Sequence, residues 1–231
     1  MKAVIIAAGM GSRLDSQEPK TLLPFGKKTI LATILNNISQ AGIKDFIIVL
    51  GFKSTKIVEY LEKQNNFGLN ISYVKNKEWK KGNGISVLAA KEATNKKNFL
   101  LSMSDHLVSE SALKKVIFYK GNKNVLLIDP NIDSIFDIDD ATKVQVDGNS
   151  ILNIAKELSE YNGIDCGIFN LNSKFFTSMA EQLKNGNESI SAAISGLINK
   201  NDMEAVFISE DEYWIDIDTP ESYNYAVKNF T

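Results

Sequence analysis

The sequence contains only one cysteine, Cys166, among its 231 residues. A single thiol can form neither an intrachain disulfide nor a zinc site built from several cysteines, which is typical of a protein from a reducing compartment. Neither sign of charge is in excess, since 26 basic and 28 acidic residues leave a net charge of −2. A surface that binds nucleic acid or anionic membranes is therefore not expected, although a local basic site can still exist.

The chain also lacks a long hydrophobic run. No apolar segment approaches the ~20 residues that a membrane-spanning helix needs, and the apolar run near the N terminus is too short for the core of a signal peptide. We therefore expect a cytoplasmic protein with no membrane span. No repeat, linker or low-complexity tract divides the sequence, so a single domain over residues 1–231 is the simplest prediction.

What the sequence does have is a strand followed by a glycine loop at its beginning, in the string KAVIIAAGMGSRLDSQEPKTLLP at residues 2–24. The apolar residues 3–8 predict a buried strand, and Gly9 and Gly11 follow it directly. Glycine lets a ligand approach the backbone, and N–H groups in a tight loop form a concavity that suits phosphates. The spacing matches neither GxGxxG nor GxxxxGK[ST]. On the glycines alone, an ordinary surface loop is the simpler interpretation.

Predicted strands and helices alternate after this loop. The apolar patterns predict strands at 45–50, 70–74 and 99–103 and helices at 29–40, 54–61 and 85–93. This alternation indicates an α/β fold with a mixed, mainly parallel sheet flanked by helices, in which ligands bind beyond the carboxyl ends of the strands. Further on, Asp147-Gly148 predicts the turn of a small hairpin lobe. Thr219-Pro220-Glu221 predicts the start of a helix.

The strings AAGMGSRL and PKTLLP resemble the signature loop of the sugar-phosphate nucleotidyltransferases. Members of this family join a nucleoside triphosphate to a phosphorylated acceptor and release pyrophosphate. The resemblance implies a single-domain, Rossmann-like nucleotidyltransferase fold, and it implies that Arg13 and Lys20 are catalytic residues placed on the phosphates. The loop residues that would wrap the nucleotide are Ala7, Ala8, Gly9, Gly11 and Ser12.

Acidic residues lie at the ends of predicted strands at two places in the sequence. Asp105 comes after the predicted strand at 99–103, and Asp216 and Asp218 lie in the string WIDID, where alternation puts both on the same side. Carboxylates brought together from two strand ends repel each other unless a cation lies between them, and Mg²⁺ with nucleotide phosphates fits this arrangement. The family resemblance implies a metal held by Asp105 and by the Asp of a WxD-type segment. Asp216 is preferred for the second ligand and Asp218 is kept as the alternative.

The string KGNGIS at 81–86 is compatible with a plain turn before a helix. It also resembles the corresponding segment of the cytidylyltransferases within the family. An amide and a hydroxyl can read the edge of a pyrimidine, so the resemblance implies that Gly82, Asn83 and Ser86 bind the nucleotide and that this nucleotide is CTP.

The acceptor side is predicted from the hairpin onward. In the family, a lysine after the hairpin contacts the acceptor phosphate. Lys156 occupies this place within AKE rather than an EKP-like string, and Lys143 is a second candidate. As an ordinary interpretation, both are solvated strand lysines. His106, the only histidine, is assigned to orientation of Asp105 or contact with the acceptor. Asp165 is assigned to the acceptor, beside Cys166 where the family resemblance leads us to expect threonine.

Taken along the whole chain, the segments most resemble the branch of the family that uses inositol 1-phosphate. The resemblance implies transfer of CMP from CTP by Mg²⁺-dependent in-line attack on the α-phosphorus. Three alternatives stay open: a phosphocholine or phosphonate acceptor such as 2-aminoethylphosphonate, a sugar 1-phosphate with another nucleotide, and a non-catalytic nucleotide-sensing module. A homodimer is one assembly that the sequence leaves open.

Overall fold

Short apolar strands that are buried on both faces form the centre of the molecule. In β1 (Lys2–Ala7), Ala3 and Ile5 belong to one core cluster, whereas Val4 belongs to another. A strand that is apolar on both sides lies in the middle of a sheet covered by helices. The computed structural model describes residues 1–11 and 18–231 and confirms the predicted α/β architecture.

Thirteen strands and seven α-helices are present in these two ranges. The remaining strands are β2 (Pro24–Phe25), β3 (Lys28–Thr29), β4 (Asp45–Leu50), β5 (Asn70–Lys75), β6 (Phe99–Met103), β7 (His106–Val108), β8 (Asn124–Asp129), β9 (Lys143–Asp147), β10 (Ser150–Ala155), β11 (Gly163–Leu171), β12 (Met203–Phe207) and β13 (Trp214–Asp216). The helices are α1 (Ile30–Gln40), α2 (Ser54–Lys63), α3 (Asn83–Ala89), α4 (Glu110–Ile117), α5 (Lys174–Lys184), α6 (Ile190–Ile198) and α7 (Pro220–Phe230).

Nine of these strands form one mixed sheet in the order β5-β4-β1-β6-β11-β8-β12-β10-β9. The first four strands of this order are parallel to one another, and β8 and β12 are also parallel. Strand β11 is antiparallel to both of its neighbours in the order. The antiparallel hairpin β9–β10 ends the sheet. The parallel half thus corresponds to the predicted Rossmann-like part, and the hairpin to the predicted lobe.

Helices cover both faces of this sheet. Buried side chains of α1, α2, α4 and α7 pack in one core cluster, and those of α3, α5 and α6 pack in the other. The apolar stripe of each amphipathic helix is what the sheet needs to exclude water from its faces. No helix in the described part of the chain is long and apolar enough to span a bilayer.

Two local predictions had different outcomes. Thr219 caps α7 as predicted, because its Oγ1 accepts a hydrogen bond of 3.1 Å from the backbone N–H of Ser222. The hairpin turn, in contrast, lies one residue later than predicted. Asp147 still pairs with Ser150 in the ladder, so the two loop residues are Gly148 and Asn149. Gly148 has a φ of +54°, which glycine adopts without steric cost.

Removal of the cap of α1 should destabilise the protein. The Thr29 hydroxyl accepts a 3.2 Å hydrogen bond from the N–H of Ala32 at the start of this helix. We expect Thr29→Ala to lower the free energy of unfolding by about 1 kcal/mol, measured by urea denaturation. Thr33→Ala is the matched control, since Thr33 lies within the helix and alanine is the better helix former there. An equal loss in both variants would contradict the capping role.

Candidate active site

A buried lysine joins two acidic segments that are far apart in the sequence. Lys20 is only 7% exposed, and its Nζ lies 2.5 Å from Asp105 Oδ2 and also pairs with Asp218 Oδ1. Burial alone would lower the pKa of Lys20, but the two carboxylates outweigh this effect and raise it above its usual value. Lys20 therefore stays protonated and provides a fixed positive charge.

Strand pairing brings Asp216 close to Asp105. Asp105 lies between β6 and β7, and β7 pairs with β13 so that His106 stands opposite Asp216. The N–H of Ile217 donates a hydrogen bond of 3.0 Å to the carbonyl of Asp105, which extends this pairing. Asp218 follows directly, and its backbone N–H donates to the Ser222 hydroxyl at the start of α7. The structure thus brings all three predicted metal-binding carboxylates to one place.

His106 lies between two of these carboxylates. Its Nδ1 is 2.8 Å from the carbonyl oxygen of Cys166, and its Nε2 is 3.4 Å from Asp216 Oδ2 and 3.9 Å from Asp105 Oδ1. Burial would lower the pKa of His106, but Asp216 and Asp105 outweigh it and raise the pKa to about 10. The imidazole ring has space only because residue 167 is a glycine. A Cβ at this position would lie 2.4 Å from Nδ1, and the φ of +70° also favours glycine.

The carboxylates themselves have different environments. Burial acts to raise the pKa of Asp105, but the charges of Lys20 and His106 and a hydrogen bond from Lys20 hold it below its usual value. For Asp216, burial dominates over the opposing effect of His106 and raises the pKa. One oxygen of Asp216, Oδ1, is buried and has no hydrogen-bond partner among the described residues.

Two cavities meet at this cluster. We call the first the loop cavity. It is lined by the described part of the glycine loop and by the start of α3, namely Ala8, Gly9, Gly11, Asn83 and Ser86. We call the second the lobe cavity. It is lined mainly by residues of the second half of the chain, among them Thr142, Lys156, Asp165, Trp214 and Asp216. Both cavities contain Asn83, Met103, Asp105 and Asp218 in their walls.

Asn83 and Ser86 line the loop cavity, and each side chain accepts one hydrogen bond from the protein. Asn83 Oδ1 accepts a bond of 2.9 Å from the N–H of Ile190. Ser86 Oγ accepts a bond of 3.0 Å from Asn76 Nδ2, in a buried contact. Asn76 was not predicted from the sequence. It directly follows β5, two residues after the end of the predicted strand, and its Oδ1 also accepts from the N–H of Glu78.

The two candidate acceptor lysines have different positions. Lys156 lines the lobe cavity, and its Nζ pairs with Asp140 in the same wall. Lys143 is not among the residues that line either cavity. Its Nζ donates instead to the backbone carbonyl of Lys156 at 2.9 Å and lies 3.4 Å from that of Asp139. The contacts of Lys143 therefore position the Lys156 segment.

Other predicted residues lie behind the walls or outside the described ranges. Ala7 is buried in the sheet core. Gly82 donates its N–H to Glu188 Oε2 at 3.0 Å rather than lining a cavity. The predicted roles of Arg13 and Ser12 lie outside the described residues. Cys166 is fully buried with its Sγ in the core, so its side chain does not reach the acceptor side.

Asp165 is another acidic residue in the wall of the lobe cavity, and its pKa is raised. It lies in β11 where the register with β8 shifts, and its Oδ1 accepts a hydrogen bond of 2.7 Å from the N–H of Gly167. Burial raises the pKa of this carboxyl to about 6, against the opposing effects of the Gly167 bond and His106.

The chain resembles known nucleotidyltransferases over its whole length. The family model of the MobA-like NTP transferase domain matches residues 3–126. The chain is 33% identical over 228 residues to a bifunctional IPC transferase and DIPP synthase of Thermococcus kodakarensis, which covers 97% of this chain and 49% of that protein. The protein of the same description from Aquifex aeolicus is 31% identical over 229 residues, with coverages of 98% and 51%. The chain therefore spans about half the length of these curated relatives.

A solved structure has the same fold. The inositol-1-phosphate CTP transferase from T. maritima superimposes with a TM-score of 0.86 at 23% identity, covering 100% of this chain and 97% of that one. At this identity the likeness establishes the fold, and it confirms the predicted mixed α/β nucleotidyltransferase architecture.

The raised pKa of Asp165 predicts a pH-dependent stability. The folded state binds a proton at this carboxyl more tightly than the unfolded chain, so stability is lost as the pH rises from about 4 to about 6. We expect Asp165→Asn to be more stable than the wild type at pH 7.5, and this advantage should disappear near pH 4, as measured by urea denaturation. The asparagine amide oxygen can still accept from Gly167. A difference that is independent of pH would contradict the assignment.

Proposed function

We propose that this chain, which belongs to the MobA-like NTP transferase family, transfers CMP from CTP to a small phosphorylated alcohol with release of pyrophosphate. Inositol 1-phosphate is the proposed acceptor. The relation to proteins described as IPC transferases and the fold shared with an inositol-1-phosphate CTP transferase support this choice.

The observation that carries the proposal is the meeting of the two cavities at Asp105 and Asp218, the two carboxylates that pair with Lys20. A nucleotide bound in the loop cavity and an acceptor bound in the lobe cavity would approach each other there. The acceptor phosphate is already an anionic nucleophile, so the chain needs no general base for the attack. Its task is to align the two substrates and to stabilise the negative charge of the transition state, for which the fixed charge of Lys20 is suited.

The acidic cluster fits a divalent cation, and we propose Mg²⁺. Carboxylate oxygens are the protein ligands that Mg²⁺ prefers, and the buried, unpartnered Oδ1 of Asp216 supports such a site. Asp105 and Asp216 would hold the ion, because both belong to a group of side chains whose ligand atoms lie within 4.8 Å of one another. Asp218 does not belong to this group. When bound, the ion would neutralise phosphate charge. Lys20 and the two cavities supply the positioning.

The hydrogen bonds around the loop cavity support cytosine as the base. Asn83 uses its oxygen for the Ile190 N–H and can therefore offer its NH₂ group. Ser86 accepts from Asn76 and can donate its own O–H. Two neighbouring donors suit the O2 and N3 acceptors of cytosine. Uracil carries an N–H at position 3, which cannot accept a hydrogen bond, so the donor that faces this position would have no partner on the base.

The lobe cavity supports two classes of acceptor. Carboxylates such as Asp165 accept hydrogen bonds from several hydroxyl groups, which suits a polyol, and Lys156 can approach a phosphate. The same wall contains Trp214 and Phe136 beside the carboxylates. Aromatic rings and carboxylates also bind ammonium groups, so phosphocholine or 2-aminoethylphosphonate is the second candidate.

The proposal is tested by pyrophosphate release with Mg²⁺, each of the four nucleoside triphosphates and a panel of acceptors. The panel contains inositol 1-phosphate, phosphocholine, 2-aminoethylphosphonate and glucose 1-phosphate. We expect release with CTP and inositol 1-phosphate. Release with CTP and an amine-bearing acceptor would support the second candidate. Turnover with UTP in place of CTP would contradict the role of Asn83 and Ser86, and CTP binding without turnover on any acceptor would indicate a sensing module.

Substitution of Lys20 should slow the reaction strongly. We expect Lys20→Ala to lower kcat/KM by a factor on the order of 10² or more, because one preorganised positive group is lost. Lys114→Ala is the matched control, since Lys114 forms an exposed pair with Glu110 on α4, outside both cavities. A loss below about tenfold in a folded Lys20→Ala variant would remove Lys20 from the catalytic residues.

A further inference from the structure

The orientation of His106 is fixed from the side opposite the acidic cluster. Its Nδ1 faces the carbonyl oxygen of Cys166 at 2.8 Å, and a carbonyl can only accept, so Nδ1 carries a proton. The other ring nitrogen, Nε2, is then the atom presented to Asp105 and Asp216. Histidines that bind metals almost always donate their second ring N–H to a carbonyl or carboxylate in this way, which fixes the tautomer and the ring plane.

The distances within the cluster fit a common ion. Two ligand atoms bound to one ion at about 2.1 Å lie no more than about 4.2 Å apart. His106 Nε2 is 3.4 Å from Asp216 Oδ2 and 3.9 Å from Asp105 Oδ1, within this limit. One ligand atom from each of Asp105, His106 and Asp216 lies within 4.8 Å of the others. Small shifts of the carboxylates would therefore let all three side chains reach one ion.

We propose that His106 Nε2 is a third protein ligand of the divalent cation, and that this nitrogen strengthens the binding of Mn²⁺ more than the binding of Mg²⁺. The inference rests on the proposed function, in which Asp105 and Asp216 hold the cation. Mg²⁺ binds mainly oxygen ligands, whereas imidazole nitrogen suits first-row transition metals. A site with two carboxylates and one imidazole therefore gains more affinity for Mn²⁺ than for Mg²⁺ from the histidine.

The alternative role of His106 is that of a positive bridge between two carboxylates. In the absence of a cation, the same carboxylates that attract a metal also favour a proton on Nε2. Binding of the ion would release this proton to solvent and leave the Nδ1–H bond to Cys166 in place. In the bridging role, His106 would never contact the ion, and its removal would affect Mn²⁺ and Mg²⁺ to the same extent.

Pulsed electron paramagnetic resonance of bound Mn²⁺ tests the proposal directly. The protein is prepared without a histidine tag, with natural histidine and with ¹⁵N-histidine, and is measured with Mn²⁺ alone and with Mn²⁺ and CTP. The chain has a single histidine, so any change of nitrogen coupling with the label comes from His106. The isotope also separates His106 from the nitrogens of cytosine. We expect a directly coordinated nitrogen that changes with the label in at least one of the two complexes. Bound Mn²⁺ with no label-dependent coupling in either complex would overturn the inference, and so would failure of the ion to bind in both.

A matched variant separates coordination from positioning. The amide of His106→Asn can still donate to the Cys166 carbonyl but offers no nitrogen at the position of Nε2. We expect its affinity for Mn²⁺ to fall by at least about tenfold, with a much smaller change for Mg²⁺. Ser191→Ala, in the same cavity, should change neither affinity. An equal loss for both ions in His106→Asn would support the bridging role instead. The pyrophosphate-release assay would still test the proposed function independently of this result.

Discussion

The contact on which the site depends is the buried ammonium of Lys20 between Asp105 and Asp218. Three carboxylates approach one another here, and without a cation among them their repulsion and desolvation would oppose folding of the segment. A buried charge pair of this kind is weak evidence for stability. It is better understood as a way to hold the positive charge of Lys20 in a fixed place. In the proposed function, an anionic substrate would pair with this charge in part.

This arrangement requires the second half of the chain. The family match ends at residue 126, after β1, the glycine loop, α3 and Asp105. Asp216 lies in β13, and Asp218 directly precedes the cap of α7. Most of the lining of the lobe cavity comes from the segments from residue 135 onward. In the proposed function, the first part would supply the surfaces for a nucleotide, and the later part would complete the acidic cluster and enclose the second substrate. Because β7 pairs with β13, the two parts are joined at the acidic cluster itself.

The sequence predicted the parts of the site that depend on local pattern. Gly9, Gly11 and Asp105 follow strands, and residues at such positions in an α/β sheet meet at one edge. The family resemblance placed Lys156 before Lys143, but the alternation of a strand does not tell which carbonyl the Lys143 ammonium will reach. Asn76 was not predicted either, and its partner Ser86 is on another element. Contacts between side chains of distant segments are set by packing, and local patterns do not contain this information.

At Cys166, where the family resemblance predicts threonine, the side chain packs in the core and the backbone carbonyl contacts His106. Its thiol points into the core, where burial raises its pKa well above the usual value and keeps it protonated. Its carbonyl points the other way and accepts from His106. The register shift in β11 between Asp165 and Phe169 makes this possible, since it brings the carboxyl of Asp165 to the lobe cavity while Gly167 leaves room for the imidazole. A change of side chain at this position therefore acts through the core, whereas the carbonyl contributes to the site whatever the side chain.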